Sequence, residues 1–157
     1  MKLAIGTTRA GLALKKDIIE HLSSQGHTVD DLGMKEDGKF VPYHESAAAV
    51  AKAVSGGKYE KAVIICGTGA GSVITANKFP GVYAVHCTSI YEAQKASAIN
   101  GANVIVFGEW LTPGPHAKEI IDAWLNTPFG EGFEPQWQDF LENCRKEIID
   151  MEKDLFK

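Results

Sequence analysis

The stretch KAVIICGTGAGSVITANKF, Lys61 to Phe79, decides the fold. It opens as an unbroken apolar run rich in β-branched residues, the pattern of a strand buried on both faces. It then turns through CGTGAG, where Gly67, Gly69 and Gly71 surround Thr68 and Ala70, and continues as GSVITANKF, which reads as a short helix. A buried strand, a glycine turn and a helix in that order form the first half of a parallel β-α unit.

The same alternation extends in both directions. Upstream, KLAIG (2–6) reads as a strand. GLALKKDIIEHLSSQG (11–26) reads as a helix with Leu14, Ile18, Ile19 and Leu22 on one face and a glycine stop. HTVDDLG (27–33) reads as a short strand and DGKFVPYH as a loop punctuated by Asp37-Gly38 and Pro42. ESAAAVAKAVSGG (45–57) reads as an alanine-rich helix. Downstream, GVYAVHC (81–87) and ANVIVFG (102–108) read as strands. SIYEAQKASAIN (89–100) and PGPHAKEIIDAWLNT (113–127) read as helices, the latter with prolines near its start. Five strands alternating with helices predict one Rossmann-like α/β domain of three layers, a five-stranded parallel sheet covered on both faces.

A last helix, QWQDFLENCRKEIIDMEKDLF (136–156), follows the complete alternation. Trp137, Phe140, Leu141, Cys144, Ile148, Met151 and Leu155 recur on it at helical spacing. That stripe packs either on the chain's own sheet or on a second subunit. The reading divides the chain into an α/β domain over 1–130 and a C-terminal helical segment over 131–157.

In open parallel sheets, ligands bind at the carboxyl ends of the strands, which is where CGTGAG falls. Glycines allow close backbone approach, and the helix start supplies amide donors and partial positive charge. The expected result is a nest of N–H groups around a small anion or a developing oxyanion. The stretch lacks the lysine of a Walker loop. Its G-x-G also fits a dinucleotide fingerprint, but on the third strand, and the next strand ends in His86-Cys87 rather than an acidic residue. Cys66 stands at the lip of the nest, either as a base or nucleophile favoured there as thiolate, or as a small core residue.

Composition narrows the function classes. The 157 residues are 45% apolar and 23% charged, globular proportions for one domain. A net charge of −4, with Arg9 and Arg145 the two arginines, argues against nucleic-acid binding. Three cysteines, Cys66, Cys87 and Cys144, without a C-x-x-C spacing, point away from a disulfide framework or a zinc site and toward a reducing cytoplasm. MKLAIGTTRAG reads as neither a signal peptide nor a membrane span.

AIG, AG and LK near the start, CGTGAG followed by ANK in the middle, and ANVIVFG later resemble the ribose-5-phosphate isomerase B / galactose-6-phosphate isomerase family over roughly residues 1–130. The resemblance implies a homodimer, possibly a tetramer, with active sites at the subunit interface. It implies aldose–ketose isomerisation of a sugar or sugar phosphate through an enediolate, without metal or cofactor. It assigns Cys66 as the base, and Gly67, Thr68, Gly69, Ala70 and Gly71 as the holders of the enediolate oxygens. Asn100 matches an asparagine that contacts substrate oxygens, or it is a helix cap.

Departures from the family pattern cluster outside that turn. Thr8 and Arg9 stand where an Asp-His pair is usual, and Ile99 replaces the ring-opening histidine. Trp110, Phe133, Glu134 and Trp137 stand where cations are usual. Arg9 is either an anion ligand or a solvated loop residue. His44 and His86 are the candidate substitutes for ring opening, against plain surface or strand-end histidines. Trp110, Phe133 and Trp137 either wall a less charged pocket or pack at an interface. Most of a phosphate clamp is therefore missing, since charge-assisted bidentate contacts carry much of phosphate affinity. The sequence reads as an isomerase of a small sugar or sugar derivative with a rewritten pocket. The alternatives are a sugar-binding or assembly subunit of the same fold with reduced catalysis, and a dinucleotide oxidoreductase.

Overall fold

Lys61–Cys66 forms β3, paired in parallel with β1 (Lys2–Thr7) on one side and β5 (Val104–Gly108) on the other. Both neighbours are strands, so both its backbone edges are satisfied, and helices cover both its faces. Ala62 to Ile65 are fully buried, as the unbroken apolar run requires. The computed structural model describes residues 1–156. β2 (Thr28–Asp31) adds beside β1, and β4 (Ala84–His86) adds beside β5, giving the order β2-β1-β3-β5-β4 with every pair parallel.

Side chains alternate across each strand, so the sheet splits the core in two. Leu3, Ile5, Val63, Ile65, Ile105 and Phe107 face α1 (Leu12–Ser24), α4 (Ile90–Ala98) and α5 (Gly114–Asn126). Ala4, Ala62, Ile64, Val104 and Val106 face α2 (Tyr43–Ser55) and α3 (Ala70–Ala76). Trp124 of α5 is fully buried and donates its indole N–H to the Ala102 carbonyl oxygen. The predicted three layers are the observed ones.

Three boundaries differ from the sequence reading. The strand read over 81–87 is ordered only at Ala84–His86, because Gly81 sits at φ +73° and Val82 N–H closes a turn onto the Phe79 carbonyl oxygen. The helix read from 45 begins at Tyr43, since Pro42 lies at φ −62° in the N-cap position, entering the helix without needing an N–H partner. A short 3₁₀ turn, Arg9–Gly11, precedes α1.

The last helix, α6 (Pro135–Leu155), docks on its own chain through a polar edge. The Glu152 carboxylate accepts from Gly81 N–H and from the Tyr83 hydroxyl, both at 3.1 Å, and burial with that carboxylate raises the Tyr83 hydroxyl's pKa. The Gln138 amide donates to the Gly130 and Phe133 carbonyl oxygens. No α6 residue is fully buried, and Trp137, Phe140, Ile148, Met151 and Leu155 are all 45% or more exposed. Docking of the stripe on the chain's own sheet is thus not what the structure shows: the apolar side of α6 is turned away.

The segment between β2 and α2 is anchored from α1. Lys15 is buried and donates to the Asp31 carboxylate at 2.9 Å and to the Met34 carbonyl oxygen. Burial pushes the Asp31 carboxyl up. Hydrogen bonds from Lys35, Lys15 and the Gly33 N–H outweigh it, so the net effect is a carboxyl held below its ordinary 3.8. A group whose folded pKa is depressed contributes stability above its unfolded pKa and loses it as pH falls through the folded one. The melting temperature is therefore expected to fall as pH drops below about 4. Asp31→Asn should flatten part of that decline and destabilise the protein at pH 7 by about 1–3 kcal/mol, since Lys15 loses a charged acceptor. Thermal melts of both proteins from pH 3 to 7 test this; parallel curves would remove Asp31 from the account.

Candidate active site

The strand order reverses direction between β1 and β3. After β1 the chain moves outward to β2, and after β3 it moves to the other side. A crevice opens at the carboxyl ends of these two strands. Thr7 and Ile65 are register partners there, and Thr8 N–H donates to the Ile65 carbonyl oxygen at 3.3 Å. The sequence thereby brings Thr8-Arg9 against Cys66–Gly71.

Cys66 ends β3 with its side chain on the α2/α3 side, following Ala62 and Ile64. It is 5% exposed, and its Sγ accepts a hydrogen bond from Gly69 N–H at 3.1 Å. Gly69 lies at φ +85°, a conformation that side-chain-bearing residues rarely adopt, and this aims the amide back at the sulfur. Gly71 is required for a different reason: a Cβ there would meet the Tyr43 ring at 2.6 Å. The next amides, at Ala70 and Gly71, open α3 and have no intrahelical acceptor. Thr68 is exposed at the mouth. The Cys66 sulfur thus meets one inward amide, with Thr68 and the first amides of α3 following directly in the chain.

A cavity of about 720 Å³ covers this turn, lined on one side by Thr8, Arg9 and Ala10 and on the other by Cys66, Gly67, Thr68 and Gly71. Phe40, Tyr43 and Trp110 complete the wall. The Trp110 indole lies against Gly67, and its N–H group on the backbone donates to the Gly67 carbonyl oxygen at 3.1 Å. Arg9 is the one basic residue in the lining; the remainder is largely apolar. Of the two roles open to Trp110, the structure shows it as a pocket wall; Phe133 and Trp137 do not line this cavity.

The other candidates are placed differently. His86 ends β4 on the Cys66 side of the sheet, and its ring abuts Gly69, where a Cβ would meet Cδ2 at 2.6 Å. Its Nε2 is buried without a hydrogen-bond partner, as is Ser72 Oγ in the first turn of α3. His86 therefore lies behind the turn rather than in the cavity. His44 is exposed in the first turn of α2, edge-on to Tyr43, and does not line the cavity either. Asn100 lies beyond α4, in the turn that leads into β5. Because α4 carries the chain back across the sheet, that turn is at the strands' amino end. Within one chain, the structure does not bring Asn100 to Cys66.

Phe40 and Tyr43 were not singled out by the sequence reading. The available signal was FVPY, two aromatic residues around a proline in an otherwise polar loop. Cys87 is set apart from Cys66 by its surroundings: burial, with Glu92 nearby, pushes its thiol up to about 12. Among the described residues no group of three or more His, Cys, Asp and Glu could hold a metal ion, and no helix is long and apolar enough to cross a membrane.

The parallel sheet and its helices have the Rossmann-like α/β architecture of the sugar isomerases, and comparison with known proteins gives the family. The ribose/galactose isomerase family matches residues 3–138, and the chain belongs to that family. It is 36% identical, over 100% of its length and 99% of the relative's, to the 4-deoxy-4-sulfo-D-erythrose isomerase of Clostridium sp. (strain MSTE9). It is 40% identical, over 83% of its length and 87% of the relative's, to ribose-5-phosphate isomerase B of Escherichia coli (strain K12). The solved structure of Clostridium thermocellum ribose-5-phosphate isomerase B superposes with a TM-score of 0.88 at 34% identity, covering 99% of each chain.

Proposed function

We propose that this isomerase acts on a short sugar carrying one terminal anionic group, with Cys66 as the base and a sulfonated four-carbon aldose as the preferred substrate. One observation carries the reading: the cavity over Cys66 offers a single cation, Arg9, against walls of Phe40, Tyr43 and Trp110. A phosphate dianion held by one guanidinium beside aromatic rings keeps much of its charge uncompensated. A sulfonate is a monoanion at neutral pH, with three equivalent oxygens and weaker hydration, and it matches one arginine. The full-length similarity to a 4-deoxy-4-sulfo-D-erythrose isomerase supports the same choice. A four-carbon chain with a terminal sulfonate also remains open, so the loss of the ring-opening histidine at Ile99 has no cost for it.

In the proposed reaction the Cys66 thiolate removes the proton from C2 of the aldose. The C–H electron pair forms the C1–C2 double bond, and the carbonyl electrons move onto O1. Thr68 and the amides of the Gly67–Gly71 turn hold the resulting enediolate. The hydroxyl proton of O2 passes to O1, and the thiol returns its proton to C1, leaving the ketose carbonyl at C2. Thr8 and Arg9 orient the substrate's far end. His86 supports Gly69 from behind, and His44 borders Tyr43 at the rim.

The reading includes a homodimer in the cytoplasm, with residues 131–157 packing on the second subunit. Two features support it: the exposed α6 stripe requires a cover, and Asn100 can meet a Cys66 only across two copies. All three cysteines are free, as a reducing compartment would keep them. The test is isomerisation in D2O, followed by NMR, over four- and five-carbon aldoses ending in sulfonate or phosphate. The four-carbon sulfonate is expected to exceed ribose 5-phosphate in kcat/KM by at least about tenfold. Equal or faster turnover of ribose 5-phosphate would overturn the substrate assignment.

A further inference from the structure

At the opposite end of the sheet, where β3 and β5 begin, lies a second cavity of about 310 Å³. Its wall is made by the start of β3, the turn from α4 into β5, the segment 125–129 and Arg145 of α6. Two of its side chains are cations, Lys61 and Arg145. Among the described residues Lys61 makes no ion pair. Its Nζ lies 4.1 Å from the centre of the Trp124 ring and donates a long bond, 3.4 Å, to the Trp124 carbonyl oxygen. Arg145 stacks on Phe129 at 5.4 Å and reaches the Glu142 carboxylate only at 4.0 Å. Its Nε is buried without any acceptor. Glu60 borders the cavity but pairs with neither cation among the described residues.

The neutral polar groups here are already committed. Ser97 Oγ donates to the Thr127 carbonyl oxygen, and Thr127 Oγ1 to that of Ala123. Asn103 accepts from Tyr83 N–H and donates to the Gly81 carbonyl oxygen. The side-chain donors left for a ligand are therefore the ammonium and the guanidinium, a pair that selects an oxyanion. Aromatic faces provide part of what two half-buried cations need, but they give the buried Nε hydrogen no oxygen.

We propose that this cavity binds a small organic oxyanion, a carboxylate or phosphate ester, between Lys61 and Arg145, at the opposite end of the sheet from the Cys66 turn of the same chain. The position gives it a route to the rest of the molecule. Arg145 Nε lies 3.4 Å from where a Cβ on Gly101 would be, directly beside Asn100. An occupant therefore bears on the turn that carries Asn100.

Burial holds the Lys61 ammonium at a pKa of about 8, so its amine is reactive near neutral pH, and a bound anion would raise that value and screen the nitrogen. The test is limited acetylation of the intact protein at pH 8 with mass-spectrometric readout, with and without inorganic phosphate or citrate, backed by calorimetric titration of the same anions. The expected results are at least about fivefold slower labelling of Lys61 with either probe, protection unchanged in Arg9→Gln, and protection lost in Arg145→Gln. Protection by phosphate alone assigns a phosphate ester, and by citrate alone a carboxylate. Equal Lys61 labelling with and without both anions overturns the proposal. So does protection that survives in Arg145→Gln or disappears in Arg9→Gln, which would mean occupancy of the other cavity. Arg145 is about 40% exposed on its side chain, so its substitution leaves the fold intact, as circular dichroism would verify.

Discussion

Cys66→Ala is expected to lower kcat by at least about 10³-fold while leaving substrate binding within a few-fold of wild type. A positioned base contributes about 10²–10⁴-fold, and in the proposed reaction the same group both removes and returns the proton, so its loss strikes two half-reactions. No neighbour is placed to substitute. His86 is behind the turn with its ring against Gly69. His44 lies outside the cavity lining. Glu109, just past β5, has its carboxylate directed at the Leu14 N–H. The substitution also removes the acceptor of the Gly69 amide, a loss of about 1–3 kcal/mol that a folded domain of this size can bear. The measurement is exchange of the substrate's C2 proton into D2O, with a thermal-shift titration alongside to show that ligand still binds. Exchange at the wild-type rate in Cys66→Ala would remove this residue from the chemistry. Loss of both exchange and binding would make it a binding residue instead.

How much of this was legible in the sequence depends on whether the signal was local. β3 and the turn after it were readable because burial on both faces demands an unbroken apolar run, and φ +85° at position 69 demands glycine; both are marked by the residues themselves. The switch-point location of the turn followed from the alternation alone. β4 was overextended because GVYAVHC carries a strand's pattern, while Gly81 bends the chain before pairing begins. Phe40 and Tyr43 were missed because a loop's path across a cavity depends on tethers such as Lys15 with Asp31, which no periodicity records. The α6 stripe has the same spacing whichever way it faces, so its exposure could only come from coordinates. Asn100 is the instructive case. A helix following a parallel strand must return to the amino end, so its distance from Cys66 was implied by the topology. Family resemblance, which matches positions without regard to which subunit provides them, concealed it.

That separation leads to the second large effect. If Asn100 serves the Cys66 of a second copy, then Cys66→Ala and Asn100→Ala inactivate each site from opposite subunits. Each pure variant is expected to retain less than about 1% of wild-type activity, since one lacks the base and the other a contact to the enediolate oxygens. Mixed in equal amounts and allowed to exchange subunits, they reassort into homodimers and mixed dimers. Half of the dimers are mixed, and each mixed dimer has one site carrying both substitutions and one carrying neither. About a quarter of all sites are then restored, so activity should rise from near zero to about 25% of wild type. The rise should follow the kinetics of subunit exchange, which mass spectrometry of isotopically labelled chains reports independently. A site confined to one chain gives the opposite result: mixing restores nothing, however completely the subunits exchange. Because the two single variants are inactive for unrelated chemical reasons, only a site shared across the interface can make them active together. Should restoration fail while mixed dimers are demonstrably present, Asn100 reverts to a helix-end residue and the cover for the α6 stripe must be sought apart from catalysis.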